Sequence, residues 1–270
     1  MAISEIIDAH THLFPEKVVD RAMERLGEVY GVEPVRRPVL ANLCAEMDES
    51  GVDRSVFAPV STRPAQVPSI NDFALELVDE PQIIPFGTLH PRHPEIDAEI
   101  ERLISGGIRG VKLQPYFQEF SFEGPATRRM FDAIGDRLVV LMHGGQEIVE
   151  IDHVIPHAAA LARLIEEHPA LRMIVAHMGG YQMWDEVSEY LVGAPVHFDL
   201  SFTFNRAPDD LIAEICSAHG WERVVFGSDF PWQSQSEALD GLRRLGLDEE
   251  TLAAVAAGNL RGLLQMTCRD

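Results

Sequence analysis

Ile6-Ile7-Asp8-Ala9-His10-Thr11-His12 is a short apolar run that ends in His-x-His. In an extended strand the side chains at i and i+2 share a face, so His10 and His12 aim two imidazoles at one point. Neutral imidazole is the commonest protein ligand for a transition metal. The same pattern, an apolar run closed by a polar residue, recurs downstream. Eight strand-like runs are legible: Ile6 to Ala9, Arg54 to Pro59, Ile83 to Thr88, Gly110 to Leu113, Val139 to Met142, Met173 to Ala176, Val196 to Leu200 and Val224 to Gly227. Amphipathic stretches separate them. Ala41 to Ser50 stops at Gly51, Ser69-Ile70-Asn71-Asp72 has N-cap chemistry, Pro156 to His168 stops before Pro169, and Pro208 to His219 stops at Gly220. Eight strand–helix alternations predict parallel strands with helical crossovers, and the closed solution is a (β/α)8 TIM barrel. No Gly-x-Gly-x-x-Gly follows the first strand, which disfavours an open dinucleotide-binding sheet. No linker or repeat divides the chain, so residues 1–270 read as a single domain. Residues 27–40 are the least regular and read as an insertion over the barrel mouth.

The bulk numbers narrow the class. The chain has 270 residues, 46% of them hydrophobic, and a formal net charge of −21. Such an acidic surface argues against nucleic acid and anionic membranes as partners, since phosphate recognition needs lysine and arginine. Three cysteines, Cys44, Cys216 and Cys268, are widely spaced and form no C-x-x-C pair, which fits a reducing, cytoplasmic setting and no thiolate metal site. No apolar run approaches the roughly 20 residues of a membrane span. A small molecule is the expected partner, and a homodimer is the expected assembly.

In such a barrel the C-terminal strand ends form the active site. Read this way, strand one delivers His10 and His12, strand four Lys112, strand five His143, strand six His177 and strand eight Asp229. A polar group at the end of an apolar strand is costly unless something satisfies it; five such strands point to one shared site. The glycines after His143 and His177 read as places where backbone approaches a ligand. Lys112 is a separate clue. The chain holds 20 arginines and two lysines, Lys17 and Lys112, and it places a lysine, which can lose its proton, inside an apolar strand.

Asp8-Ala9-His10-Thr11-His12, Gly110-Val111-Lys112-Leu113, Ala176-His177-Met178-Gly179-Gly180, Phe226-Gly227-Ser228-Asp229-Phe230-Pro231 and the closing Gly258-Asn259-Leu260-Arg261 resemble, in that order, the amidohydrolase superfamily and its amidohydrolase-2 branch. The resemblance spans nearly the whole chain. It implies a metal-dependent barrel with His10, His12, His143 and Asp229 as ligands. It makes His177 either a ligand to a second metal or a catalytic histidine beside one. It allows Lys112 to be a carbamate bridging two ions or a protonated amine beside a single one. Zinc is the default metal, with manganese, iron or cobalt as substitutes. Gln114 stands where the branch often has histidine.

The main activity implied is hydrolysis of an amide, ester or lactone of a small organic substrate. A metal lowers the pKa of bound water to about 7, with Asp229 and His177 moving protons. The alternative is non-oxidative decarboxylation of an aromatic or unsaturated acid at the same metal, with an arginine for a carboxylate among Arg63, Arg92 and Arg206. Gln114, Tyr116 and Trp232 are candidates for the substrate pocket. His153, His157, His168 and His219 read as solvated helix residues, His90 and His93 as loop residues, and Glu147 as a group behind His143.

Overall fold

The computed structural model describes residues 4–148 and 157–267. Its nine strands are β1 (Ile7–Thr11), β2 (Arg54–Phe57), β3 (Ile83–Pro85), β4 (Gly87–Thr88), β5 (Gly110–Leu113), β6 (Val139–Met142), β7 (Arg172–Val175), β8 (His197–Asp199) and β9 (Val224–Val225). All their pairings are parallel, in the orders β1-β2-β3 and β4 to β9. β3 and β4 are two halves of one barrel strand, interrupted at Phe86, whose N–H still donates to Phe57 O. The ring closes between β9 and β1 through Ala9 N–H to Phe226 O (2.9 Å), Asp229 N–H to His10 O (2.9 Å) and His12 N–H to Phe230 O (2.7 Å). The chain is a closed (β/α)8 barrel.

Alternation sorts the core. Ile7, Ala9, Val56, Phe86, Leu141 and Ile174 fill the barrel, while Val111, Leu113, Val140, Met142, Met173 and Val175 face the surrounding helices. One end is stoppered. Leu260 and Leu264 join the interior cluster, and Asn259 Nδ2 donates to Trp221 O (2.8 Å) and Val224 O (2.7 Å) just before β9. Arg172, at the start of β7, reaches Leu263 O (3.0 Å). The C-terminal segment thus seals the strand-start end, which leaves the strand-finish end for chemistry.

β1 carries a bulge. Asp8 pairs with Ser55 and Thr11 with Phe57, three steps against two. The extra residue re-aims the strand. Asp8 faces outward, where it accepts from the Ser228 hydroxyl (2.5 Å) and Gln235 Nε2 (2.8 Å), while His10 turns inward to meet Lys112 Nζ at 2.9 Å.

Several local expectations change. The helix over Leu40–Ser50 does end at Gly51, in the left-handed region at φ 77°. Asn71 is not a cap: its helix spans Val67–Glu76, and its buried amide accepts from Thr88 N–H (2.7 Å) and donates to Thr88 O (2.9 Å), serving as a ladder partner for β4. The irregular insertion shrinks to residues 31–39 between the helices Val19–Tyr30 and Leu40–Ser50; Val35 N–H donates to Pro231 O (2.8 Å), which places it beside the Asp229 loop. His219 is fully buried, not solvated: its ring stacks on Phe198 at 3.8 Å and its Nε2 meets Val196 O at 2.9 Å. His168 is largely covered and pairs with Asp132 at 3.2 Å. His90 is fully buried, and its Nδ1 accepts from Arg92 N–H at 3.2 Å. Cys44 and Cys216 are free thiols. His153, Pro156 and Cys268 lie outside the described residues. Among the described residues no helix is long and apolar enough to cross a membrane.

Candidate metal centre

The ends of β1, β5, β6, β7, β8 and β9 converge on one polar cluster. His10 Nε2 and His12 Nε2 stand 3.5 and 3.0 Å from Asp229 Oδ1. Donors about 2.0–2.2 Å from a tetrahedral ion sit roughly 3.3–3.5 Å from one another, close to these separations. His12 Nδ1 lies 2.8 Å from Ala58 O, an atom that only accepts, so Nδ1 carries the hydrogen and Nε2 presents a lone pair. That lone pair faces a carboxylate oxygen. Two acceptors 3.0 Å apart repel unless a proton or a metal ion lies between them, and two imidazoles about one carboxylate oxygen at these spacings are a donor set that fits a divalent ion.

His143 Nδ1 lies 3.1 Å from His177 Nε2, and His143 Nε2 lies 3.3 Å from Glu147 Oε1. That Nε2 is a buried atom without a hydrogen-bond partner. The tightest donor groups among the described residues are His10–His12–Asp229 and His10–His177–Asp199; His143 belongs to neither. Lys112 is buried and bonds His10 Nε2 (2.9 Å).

Electrostatics follow burial. Burial pushes Lys112 down to about 8 against the pull of Asp199, Asp229 and Glu147. Burial, then Lys112, pushes His10 down to about 4. Burial also lowers His143 and His177. Burial alone would raise Asp229, but His10, His12 and His177 beside it hold it below the usual carboxylate range. Backbone strain gathers here too. His177, Met178 and Asp229 adopt left-handed φ of 60°, 55° and 70°, conformations that persist only where surroundings enforce them.

Among the pocket candidates, Gln114 is buried, donates from Nε2 to Glu147 and accepts from Tyr116 N–H (3.2 Å). Tyr116 sets its ring edge against His143 at 6.1 Å. Trp232 is half-buried, and its backbone N–H donates to Asp229 O (2.8 Å). Of the three arginines, Arg63 is exposed and Arg92 lines an outer groove with His93 and Arg129. Arg206 alone adjoins the cluster: its guanidinium lies 3.2 Å from the Phe202 ring centre, Phe202 packs on Tyr181 (5.6 Å), and Tyr181 packs on His177 (6.3 Å). The sequence reading passed over Asp199 and Ser201, which end β8. The polar-residue-at-strand-end test that found the others would have found Asp199 in Val196-His197-Phe198-Asp199-Leu200-Ser201.

The paired glycines serve packing between loops. A Cβ on Gly144 would stand 2.7 Å from Gly179 O, and one on Gly145, at φ 83°, 2.1 Å from Tyr181 N. They let the loops after β6 and β7 press together, with Gln146 N–H donating to Tyr181 O (2.8 Å). Gly145→Ala is expected to cost roughly 2–4 kcal/mol, lowering Tm by about 5–10 °C. An unchanged melting curve contradicts this account.

A family model described as Amidohydrolase matches residues 7–264. No curated protein matches the chain. Among solved structures, 5-carboxyvanillate decarboxylase from Sphingomonas paucimobilis superposes with TM-score 0.76 at 19% identity, over 97% of this chain and 99% of that one. The 5-carboxyvanillate decarboxylase of Novosphingobium aromaticivorans, complexed with manganese and 4-hydroxy-3-methoxy-5-nitrobenzoic acid, gives 0.76 at 17% over 97% and 96%. The 2,6-dihydroxybenzoate decarboxylase from Rhizobium gives 0.71 at 16% over 97% and 99%. At these identities the likeness is one of fold.

Proposed function

Because the chain belongs to the amidohydrolase family, we propose that it is a divalent-metal-dependent decarboxylase of a small aromatic or unsaturated carboxylic acid. The observation that carries this reading is the pair of facing acceptors, His12 Nε2 and Asp229 Oδ1, 3.0 Å apart with His10 Nε2 alongside. It favours Asp229 as a holder of a cation, and with Oδ1 turned to that ion Asp229 is less free to be the proton acceptor that hydrolysis needs. The decarboxylases of the same fold, one of them complexed with manganese, support the same choice. Decarboxylation, the alternative at the level of sequence, therefore becomes the leading reading, and zinc has no advantage over manganese.

His10, His12 and Asp229 would hold the ion, with the bare Nε2 of His143 as a fourth donor. When bound, the ion supplies positive charge that grips the acid and its neighbouring hydroxyl and draws electron density from the breaking bond. His177, whose Nε2 is bare at rest, takes up a proton there from solvent and passes it to the carbon that loses carbon dioxide. The electron pair of the broken C–C bond becomes the new C–H bond. Burial lowers the His177 imidazole, so a proton placed there is readily given up. Asp199, through its bond to the His177 backbone N–H (2.9 Å), keeps that ring in place. Tyr116 and Gln114 line the side of His143, and Arg206 offers a planar cation to an anionic substituent remote from the reacting carbon.

The test is a panel of hydroxylated aromatic acids, unsaturated acids, lactones and amides with added manganese or zinc, following carbon dioxide against acid release. Carbon dioxide from an acid supports the reading; hydrolysis alone overturns it. Arg206→Ala is expected to raise KM for the acid roughly tenfold with kcat within about twofold, and an unchanged KM removes Arg206 from the pocket. Metal analysis of the wild-type protein is expected to find near one equivalent per chain, unchanged in Lys112→Ala. Two equivalents falling to one would instead identify a lysine carbamate bridging a pair.

A further inference from the structure

A carboxylate lies beneath the donors, outside every role given so far but one backbone contact. Asp199 is fully buried. Its Oδ2 stands 2.9 Å from His10 Nδ1. Its Oδ1 accepts from the backbone N–H of His177 (2.9 Å), the backbone N–H of Ser201 (3.0 Å) and the Ser201 hydroxyl (2.5 Å). The same hydroxyl oxygen stands 2.9 Å from His10 Nδ1 and 3.1 Å from His177 Nδ1, and Ser201 O lies 3.0 Å from His177 Nδ1.

Donor and acceptor types fix where the hydrogens lie. A carboxylate and a carbonyl oxygen only accept. Asp199 Oδ2 therefore requires the hydrogen of His10 on Nδ1, and Ser201 O requires that of His177 on Nδ1. His10 Nε2 is left as an acceptor, which agrees with the Lys112 amine 2.9 Å away. His177 Nε2 is likewise an acceptor, and its neighbour at 3.1 Å is His143 Nδ1, which must then supply a hydrogen. The consequence reaches the third ring: His143 Nε2 is bare, and among the described residues it is one of three buried histidine ring nitrogens with no hydrogen-bond partner, Glu147 Oε1 standing 3.3 Å away without bonding to it.

The geometry points to Asp199, acting with Ser201, as a positioning residue that sets the tautomers of His10, His177 and His143 together, so that the Nε2 atoms of His10 and His143 face the ion as bare donors. It rests on the metal set proposed above and extends it to residues that touch no ion. One carboxylate at the end of β8 thereby couples two metal donors to the group that moves the proton. Outer hydrogen-bond partners of this kind typically govern metal affinity by 10–100-fold.

The test uses the full chain, metal-free and labelled with 15N in histidine, each ring assigned by single replacement. All three rings are expected to show a protonated Nδ1 and a bare Nε2 at neutral pH. A hydrogen on Nε2 of His10 or His177 overturns the inference, as does loss of the His10 Nδ1 hydrogen when zinc, a diamagnetic ion, is added, which would seat the ion between His10, His177 and Asp199. Asp199→Asn, titrated with manganese alone and followed by electron paramagnetic resonance, is expected to raise Kd by about 10–100-fold. A Kd within threefold of wild type overturns the inference. Should that variant not fold, the wild-type spectrum decides by itself. Neither measurement needs turnover, so failure here is distinct from failure of the decarboxylase reading.

Discussion

Asp229→Asn is expected to lower kcat/KM by about 10³-fold or more, with manganese binding weakened in parallel and the fold intact. The argument is electrostatic. Asp229 Oδ1 faces the Nε2 atoms of both His12 and His10, and it is the one carboxylate of that tight group. Asparagine keeps the shape but removes the charge that balances a dication, and its amide nitrogen cannot serve as a donor to metal. The backbone is unaffected by design: Asp229 sits at φ 70°, and asparagine is among the residues that tolerate this region best. Steady-state kinetics, metal analysis and a thermal melt together check the claim. Activity within tenfold of wild type, at saturating manganese, rejects Asp229 as a ligand.

His177→Asn is expected to lower kcat by roughly 10²–10⁴-fold, the range for loss of a positioned acid or base, while metal content stays near wild type. The same reasoning selects asparagine, because His177 also occupies the left-handed region, at φ 60°. This variant separates the two roles that the resemblance left open. Loss of turnover with the metal retained marks His177 as the proton donor. Loss of one metal equivalent marks it as a ligand to a second ion. Retained turnover excludes both.

Much of this arrangement was legible in the chain because parallel barrel strands announce themselves twice, as apolar runs and as the polar residues that end them. His10, His12, Lys112, His143, His177 and Asp229 were all found that way, and the structure brings them into one cluster. What the alternation rule could not give was the bulge in β1. By strict period two, Asp8, His10 and His12 share a face; the extra residue sends Asp8 outward to Ser228 and Gln235. Nor could a local rule read the Gly144-Gly145 and Gly179-Gly180 pairs, whose purpose appears only when two distant loops lie against each other. Buried helix histidines were also misjudged. His219 reads as solvated because it sits at a helix end, yet its ring stacks on Phe198, which faces the helices from β8. Asp199 was equally legible, since it closes the stretch Val196-His197-Phe198 as the other polar residues close theirs.

The seam between β9 and β1 has a consequence for how the protein is made. His12 and Asp229, 217 positions apart, meet only across that seam. In a growing chain His-x-His emerges 217 positions ahead of its carboxylate partner, so until Asp229 is made the chain offers a cation two donors at most from this group. Capture of the ion would then close a loop of 217 positions and draw on its binding energy to do so. The full donor set exists only once the first and last barrel strands have paired.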